Sequence, residues 1–290
     1  MRVVLTGASG QLGAYLCESL AGAGHAVSAW SGRQTGGLLL PVDLTDAGAV
    51  SRALAEADPE VILHAGAVSS AEAVRRDPAR ARAVNVEATA RLADWCGRHG
   101  RKILFTSTDL VFDGSRPWWR EGDPPGPVLA YGRTKAEAEQ AVLAVAGGLV
   151  VRLSLLYGPS RAGRPTYSDR TIDGWRRGEA QTFFGDEYRT PLDLASAAEA
   201  LVRLAGSEAS GRVHLAGRER LSRFDHARRV AAALGFDPGL VRPNRQSDLT
   251  SPEPRPADVS LDTTRLAVLL PDLRRPGVEE AVARLWGLGP

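Results

Sequence analysis

Short apolar runs alternate with amphipathic stretches through the first half of the chain. Leu12, Leu16 and Leu20 recur at helical spacing after the first apolar run. The pattern predicts strands at residues 2–6, 26–30, 61–64, 102–105 and 149–153, and helices at 47–57 and 78–99. Because strands that alternate with helices are typical of βαβ units, we expect an α/β fold with a doubly wound parallel sheet of the Rossmann type.

The regular alternation weakens after residue 157. The later pattern predicts helices at 168–177, 195–204, 223–234 and 278–285, and strands at 181–184 and 213–215. We therefore predict two parts, of which the second is a small, discontinuous C-terminal α/β lobe that closes over the cofactor and binds substrate. The predicted dinucleotide-binding domain spans 1–157 and is completed by 190–216, and the substrate-binding lobe comprises 158–189 and 217–290.

Composition and charge narrow the class of protein. With 290 residues, 43% hydrophobic and 24% charged, the chain is typical of a globular protein. A net charge of +2 gives no electrostatic reason to expect nucleic acid or an anionic membrane as a partner. Cys17 and Cys96 are too few for a disulfide framework, and no apolar run approaches the length of a membrane span. These features predict a cytoplasmic protein.

A glycine-rich turn lies between the first predicted strand and the first helix. Strand, glycine turn and helix are the context that a dinucleotide-binding fingerprint requires. Glycines allow a tight turn and let backbone N–H groups approach a pyrophosphate at the positive end of the helix. The predicted cofactor-binding residues of this turn are Gly7, Ser9, Gly10, Gln11, Leu12 and Gly13.

The ends of the next strands suggest which dinucleotide is bound. Ser31 and Arg33 stand where an NAD-preferring site usually carries an acidic residue, and a guanidinium suits a 2′-phosphate. We therefore favour NADP(H), with NAD(H) as the alternative. Further along, we expect Asp43 and Leu44 beside the adenine. The small residues Ala65, Gly66 and Ala67 follow the strand at 61–64 and are expected beside the cofactor. His64 is expected to be a neutral, hydrogen-bonded side chain.

Tyr131 and Lys135 are the strongest candidates for chemistry. Residues four apart lie on one face of a helix, so the phenol and the ammonium can enter the same cleft. A fixed cation nearby stabilises phenolate, and we expect Lys135 to lower the pKa of Tyr131. The chain has only one other lysine, Lys102, which makes this spacing more informative. Thr108 follows the strand at 102–105, at the edge of the sheet where parallel sheets bind ligands.

Several motifs taken together resemble the dTDP-4-dehydrorhamnose reductase family of extended short-chain dehydrogenases/reductases. They are Gly7 to Gly13, Ser107-Thr108-Asp109-x-Val111-Phe112-Asp113-Gly114, Tyr131-Gly132-x-Thr134-Lys135, Arg152-x-Ser154-x-x-Tyr157-Gly158, Arg189-Thr190-Pro191 and the segment from Arg255 to Asp262. The resemblance covers nearly the whole chain. It implies a reductase that acts on a keto group of a deoxysugar nucleotide.

The resemblance also implies residue roles. Tyr131 donates a proton to the carbonyl oxygen, Lys135 also holds the nicotinamide ribose, and Thr108 hydrogen-bonds the same oxygen, with Ser107 as its substitute. Asn85 helps to hold the lysine. The pyrophosphate of such a substrate is expected to be bound by cationic side chains. The candidates are Arg152, Arg161, Arg164 and Arg189, of which most are expected to be solvated.

Other functions stay open at this point. Leu110 and Leu155 stand where the family commonly has tyrosine and an aromatic residue near the sugar, so the substrate could be another sugar nucleotide or another carbonyl compound. An epimerase is a further alternative. A non-catalytic, NADP-binding regulatory subunit is a third, because the regulatory subunit of methionine adenosyltransferase is similar to this family.

A homodimer could form through the helix at 78–99. We see no cluster with metal-ligand spacing and predict no metal.

Overall fold

Seven parallel strands form the sheet around which the chain is organised. The computed structural model describes residues 1–32, 34–248, 250 and 252–288. In chain order its strands are β1 (Arg2–Thr6), β2 (Ala26–Ser31), β3 (Leu39–Pro41), β4 (Val61–His64), β5 (Lys102–Thr108), β6 (Leu149–Leu153), β7 (Leu156–Tyr157), β8 (Gln181–Phe184), β9 (Tyr188–Arg189), β10 (Leu192–Asp193), β11 (Gly211–Leu215), β12 (Leu221–Ser222) and β13 (Val241–Asn244). The sheet has the order β11-β6-β5-β4-β1-β2-β3, and the predicted doubly wound Rossmann sheet is confirmed.

Helices cover both faces of this sheet. They are α1 (Gln11–Gly22), α2 (Ala47–Ala57), α3 (Ala71–Arg76), α4 (Pro78–Arg82), α5 (Ala88–His99), α6 (Ala130–Leu143), α7 (Tyr167–Arg176), α8 (Leu194–Ala205), α9 (Arg223–Ala233), α10 (Thr264–Leu269) and α11 (Val278–Trp286). The stretch 78–99, predicted as one helix, contains a π-helical turn at Ala83–Glu87 between α4 and α5. Within the described ranges, no helix combines the length and the apolar character needed to cross a lipid bilayer.

The alternation of side chains along the strands builds two cores. Val3 and Leu5 of β1 point to one face and pack with α1 and α8, whereas Val4 between them packs on the other face with α2 and α5. Successive side chains of a strand point to opposite faces, so a strand whose residues are all apolar is buried on both sides. The sheet therefore sits in the middle of the molecule, and its carboxyl edge is left to form a site.

A third apolar cluster lies outside the sheet. It joins Ile172 and Trp175 of α7, Phe183 of β8, Val230 of α9 and Val282 of α11. Short ladders connect this region: β8 pairs with β13, β9 with β12, and β7 with β10. In contrast, Leu266, Leu270 and Leu273, around α10, pack into the cluster under the sheet. The division of the chain at 158–189 and 217–290 stays a prediction.

The loop between β5 and α6 is held by the segment from Arg255 to Asp262. The Trp119 amide donates to the Ser260 carbonyl at 2.8 Å, and its indole donates to the Asp258 carbonyl at 3.0 Å. The Trp119 ring stacks on Phe112 with 4.5 Å between centroids. Trp118 is instead exposed, with a left-handed φ of 57°. Trp119 therefore fastens this loop, which leads the chain back to α6.

Candidate active site

A cavity of about 850 Å³ lies at the carboxyl edge of the sheet. It lies between the ends of β1, β2, β4 and β5 on one side and the start of α7 on the other. All the predicted cofactor-binding residues that the structure describes line it, and Arg33 lies outside the described residues. They are Gly7, Ser9, Gly10, Gln11, Leu12, Gly13, Ser31, Asp43, Leu44, Ala65, Gly66, Ala67 and Lys135.

The glycine turn leaves the start of α1 open toward this cavity. The Gly10 amide donates to the Gly7 carbonyl at 2.8 Å, and Gly10 caps the helix without any side-chain hydrogen bond. A Cβ on Gly13 would lie 2.1 Å from the Gly7 oxygen, so only glycine allows this turn to close. The uncapped N–H groups and the helix dipole suit the pyrophosphate of a dinucleotide. The local structure therefore fits the cofactor that the sequence predicts.

The rim of the cavity beyond β2 is held by short-range hydrogen bonds. The Ser31 hydroxyl donates to the carbonyls of Gln34 and Leu40. Asp43 accepts from the backbone amide and the hydroxyl of Thr45, at 2.9 and 2.7 Å. The Ser31 hydroxyl is thus engaged by the chain itself, and its assignment to the cofactor stays a prediction.

His64 is part of a buried hydrogen-bond chain. Its Nδ1 lies 2.6 Å from the Thr6 hydroxyl, and its Nε2 lies 2.9 Å from the Thr89 hydroxyl. The Thr6 oxygen also accepts from the Gly66 amide at 3.0 Å. Burial, helped by the charge of Lys135, lowers the pKa of His64 to about 3. The prediction of a neutral, satisfied histidine is confirmed, and this histidine anchors the loop at Gly66.

Tyr131 and Lys135 stand on the first turns of α6, and both line the cavity. Gly132 lets this helix approach the turn after β5, because a Cβ there would lie 2.1 Å from the Leu110 oxygen. The Lys135 side chain is buried, and its Nζ lies 3.9 Å from the centroid of the Phe105 ring. Burial lowers the pKa of Lys135 to about 7, and the charge of Glu139 opposes this fall.

The pKa of Tyr131 departs from expectation. We expected Lys135 to lower it, but burial raises the pKa of Tyr131 above its ordinary value, and the negative charge of Asp109 raises it further. Removing a phenol from water penalises the phenolate, and a nearby anion adds to that penalty. At neutral pH Tyr131 is therefore a phenol that holds a proton to donate.

Thr108 is turned toward Asp109. Its hydroxyl donates to Asp109 Oδ1 at 3.2 Å and accepts from the Leu110 amide at 3.2 Å. The residues of β5 that line the cavity are Thr106 and Ser107. Strand β5 runs through Thr108, three residues beyond the predicted end. The role of Thr108 toward a substrate oxygen stays a prediction.

The structure adds two buried carboxylates that were not among the predicted site residues. Glu139 accepts from the Ser107 hydroxyl at 2.6 Å and from both Nε and Nη2 of Arg152, at 2.9 and 2.7 Å. Asp109 Oδ2 accepts from the Ser154 hydroxyl at 3.1 Å and lies 3.6 Å from Nε of Arg189. Arg152, a charged residue inside the otherwise apolar strand β6, was the signal for the first of these pairs.

These ion pairs correct the expectations for the arginines. Arg152 and Arg189 were candidates for the substrate's pyrophosphate, with solvation as the alternative, but both are buried and paired with carboxylates. A buried guanidinium needs a fixed anion, so its strongest partner is already present. Arg161 pairs with Glu18, and Arg164 lines the cavity. Of the four, Arg164 is the one placed to meet a ligand.

Asn85 connects two walls of the site. Its side chain exchanges two hydrogen bonds with the backbone of Val68, at 2.8 and 3.0 Å, and donates to the Thr134 hydroxyl at 3.0 Å. Asn85 is buried inside the π-helical turn, and such turns are frequent at functional sites. It thus fixes the loop after β4 against α6, beside Lys135.

A smaller apolar pocket of about 60 Å³ adjoins the cavity. Leu156 and Tyr167 line both spaces, and Leu155 faces only the smaller one. Leu155 replaces an aromatic residue of the family pattern. The space on the lobe side of the cavity is therefore shaped partly by this aliphatic side chain.

A Rossmann sheet with an open glycine turn and a Tyr–Lys pair in one cavity defines a protein of the short-chain dehydrogenase/reductase class. The family model described as "RmlD substrate binding domain" matches residues 1–286, and the chain belongs to this family. It is 34% identical to dTDP-4-dehydrorhamnose reductase of Mycolicibacterium smegmatis, over 99% of this chain and 86% of that protein. It is 30% identical to methionine adenosyltransferase 2 subunit beta of Bos taurus, over 98% and 87% of the two chains.

Among solved structures, the fold is similar to that of dTDP-4-dehydrorhamnose reductase from Bacillus anthracis in complex with NADP. The TM-score is 0.88 with 24% identity, and 99% of each chain is covered. At that identity the likeness shows that the two chains share a fold. The predicted family is confirmed by the family match and the sequence relatives.

Proposed function

We propose that the protein is an NADPH-dependent reductase of a keto group on a deoxysugar nucleotide, of the dTDP-4-dehydrorhamnose type. The observation that carries this proposal is the placement of Tyr131 and Lys135 together in the cavity that the open start of α1 also faces. The sequence relatives named as dTDP-4-dehydrorhamnose reductases support it. Such a protein is an NAD(P)H-dependent oxidoreductase.

The cavity residues divide the work of such a reaction. NADPH, when bound, would supply the hydride for the carbonyl carbon. Tyr131, a phenol at neutral pH because its pKa is raised, donates the proton to the carbonyl oxygen. Lys135 supplies positive charge beside the phenolate that remains. The hydroxyls of Thr108 and Ser107 are the candidates to donate a hydrogen bond to the same oxygen. To do so, each must turn away from its present acceptor, Asp109 or Glu139.

Cofactor preference rests on the end of β2. Ser31 and Gly32 occupy this point, and no carboxylate follows them at residue 33. A carboxylate would repel a 2′-phosphate, whereas Arg33 in the sequence would attract one. NADP(H) is therefore favoured over NAD(H). The glycine turn would hold the pyrophosphate, and Asp43 and Leu44 would lie beside the adenosine.

Substrate binding is assigned to the lobe side of the cavity. Arg164 and Arg170 bring guanidinium groups to this wall, next to Tyr167. Guanidinium groups bind pyrophosphate oxygens well, which suits a sugar nucleotide. We propose accordingly that 1–157 with 190–216 binds the cofactor. The segments 158–189 and 217–290, with the exception of α10, bind the substrate.

We also propose a cytoplasmic location, because the reaction needs the cytoplasmic pool of NADPH. A homodimer is part of the same proposal.

A second candidate function is a non-catalytic, NADP-binding regulatory subunit. The 30% identity to methionine adenosyltransferase 2 subunit beta favours it. The buried lysine beside Tyr131 argues against a regulatory subunit. Burying an ammonium is destabilising, and a protein without catalytic activity gains nothing from it. The two functions differ in turnover, which can be measured directly.

The test follows NADPH absorbance after addition of dTDP-4-keto-6-deoxy sugar, with NADH in parallel, for the wild type and Tyr131→Phe. We expect oxidation that prefers NADPH and falls at least about 100-fold in the variant, because the proton donor is lost. NADPH binding, followed by fluorescence, serves as the control and should be retained. Unchanged turnover in Tyr131→Phe contradicts the proposal. Binding without any turnover in the wild type favours the regulatory subunit.

A further inference from the structure

Glu139 is placed one helical turn after Lys135 on α6, on the side that faces the sheet. Its side chain is fully buried. Residues four apart on a helix are neighbours, and a glutamate at this spacing lies close to the lysine's side chain. The two oxygens of Glu139 are held by Ser107 of β5 and by Arg152 of β6.

Arg152 is fixed as firmly as its partner. It is fully buried, and its guanidinium lies 4.9 Å from the centroid of the Phe112 ring. Its Nη1 lies 3.5 Å from Nε2 of His214, whose pKa is lowered to about 3 by burial and by the Arg152 charge. Arg212 of β11 comes within 3.8 Å of the same carboxylate. The pair therefore joins the catalytic helix to three strands and cannot swing away.

The groups that face Lys135 come from three elements, α6, β4 and β5. On α6 the group is the Glu139 carboxylate, with the Tyr131 phenol in the same cavity, and on β4 it is His64, which stays neutral. Strand β5 contributes the Phe105 ring. Of these described groups, Glu139 is the anion that stabilises the Lys135 ammonium. Arg152 donates two hydrogen bonds to the same carboxylate, and its positive charge partly offsets the negative charge of Glu139.

We propose that Glu139 and Arg152 form a positioning pair that sets the charge of Lys135 from opposite directions. Glu139 favours the ammonium, and Arg152 limits how strongly it does so. Burial brings the titration of Lys135 down toward neutrality. The pair sets how far it falls, and so how much cation stands beside Tyr131 in the proposed reductase. The inference concerns the reductase site of the proposed function, but its central measurement needs no substrate.

The test is a pH titration of Lys135 by NMR on protein labelled at lysine Cε and Nζ. The chain contains two lysines, so Lys102→Arg leaves one signal and assigns it. Glu139→Gln should lower the midpoint of Lys135 from its value of about 7 by about 1 pH unit or more. Arg152→Gln should raise that midpoint. Shifts of opposite sign support the pair, and shifts of the same sign, or none, overturn it.

Folding is checked by circular dichroism for each variant. If either single variant does not fold, the double variant Glu139→Gln/Arg152→Met removes both charges together. Its midpoint should lie slightly below that of the wild type, because Glu139 is the nearer charge, and a rise would overturn the proposal. Asp193→Asn is the matched control. It alters another buried carboxylate, paired with Arg284 at 2.7 Å, and should leave the Lys135 midpoint unchanged.

Activity gives a second readout. If the reductase acts as proposed, the pH at which kcat falls on the alkaline side should move with the Lys135 midpoint in both variants. A fall of kcat without movement of the profile would mark a merely structural pair and overturn the inference. Opposed NMR shifts in a protein without reductase activity would instead refute the proposed function and leave the inference standing.

Discussion

Two buried carboxylates act on the Tyr131–Lys135 pair, and their surroundings differ. Glu139, beside the lysine, is gripped by two N–H groups of Arg152 and by Ser107, all within 2.9 Å. Asp109, beside the tyrosine, has two hydroxyl donors above 3.0 Å and a guanidinium at 3.6 Å. Burial raises the pKa of Asp109 despite these contacts.

The comparison shows how equal burial can serve opposite purposes. A carboxylate that a guanidinium holds by two hydrogen bonds can stabilise a neighbouring cation as well. A loosely paired carboxylate lies closer to protonation, and while ionised it keeps its neighbour, the Tyr131 phenol, from losing a proton. The protein thus holds a proton donor and a cation one helical turn apart, and the carboxylate beside each is paired differently.

The largest difference should appear when each arginine is removed. Arg152→Leu leaves Glu139 buried without its main partner and should lower the free energy of unfolding by about 3–5 kcal/mol, less whatever Arg212 restores. Arg189→Leu should cost about 1–2 kcal/mol, since Asp109 keeps two hydroxyl donors and can take up a proton. Urea unfolding of both variants at one pH makes the comparison. Equal losses would mean that the two pairs are equivalent.

The second effect concerns the pH dependence of stability at Lys135. Its folded pKa of about 7 lies below the ordinary 10.5, so folding loses stability as the pH falls from 10.5 toward 7. Lys135→Met removes this loss but also the contact of the ammonium with Phe105, and it should raise the free energy of unfolding at pH 7 by about 2–4 kcal/mol.

Unfolding at pH 7 and near pH 10.5 measures this gain, which should fade at the higher pH. The matched control is Lys102→Met. Lys102 donates to the carbonyls of Leu204 and Ser207, so its loss should destabilise the protein. A Lys135→Met variant that is less stable than the wild type at pH 7 would show that Glu139 outweighs burial.

The smallest effect is expected for Asp109→Asn. The folded pKa of Asp109 is raised above 3.8, so its contribution to stability is complete below pH 3.8 and is lost as the pH rises through the folded value. The variant lacks this loss. Its stability relative to the wild type should therefore improve as the pH rises through that window, as measured by urea unfolding at several pH values. A constant difference would mean that Arg189 fully offsets burial.

Much of the site was predictable because its signals are local. The glycine turn, the small residues after β4 and the Tyr131–Lys135 spacing each lie within a few consecutive residues. Their positions follow from a strand, a tight turn or a helix, and the structure brings all the described ones to one cavity. The strands at 2–6, 61–64 and 149–153 have the predicted bounds because each is specified by a short, mainly apolar run.

The incorrect expectations concern charges whose partners are distant in sequence. Arg152 was a candidate for a phosphate, yet its partner Glu139 lies on the preceding helix, 13 residues earlier. Arg189 pairs with Asp109 across the carboxyl edge of the sheet. Neither pairing leaves a periodic pattern, because each joins two elements that only the packed sheet brings together.

The sequence by itself determined the parallel sheet, the glycine turn and the helix that carries Tyr131 and Lys135, since periodicity and short-range spacing specify these elements. Only the tertiary structure decided which charges are buried together. That choice sets the raised pKa of Tyr131 and the lowered pKa of Lys135. Both shifts depend on burial and on distances between side chains of different elements, and these quantities exist only once the helices have packed against the sheet.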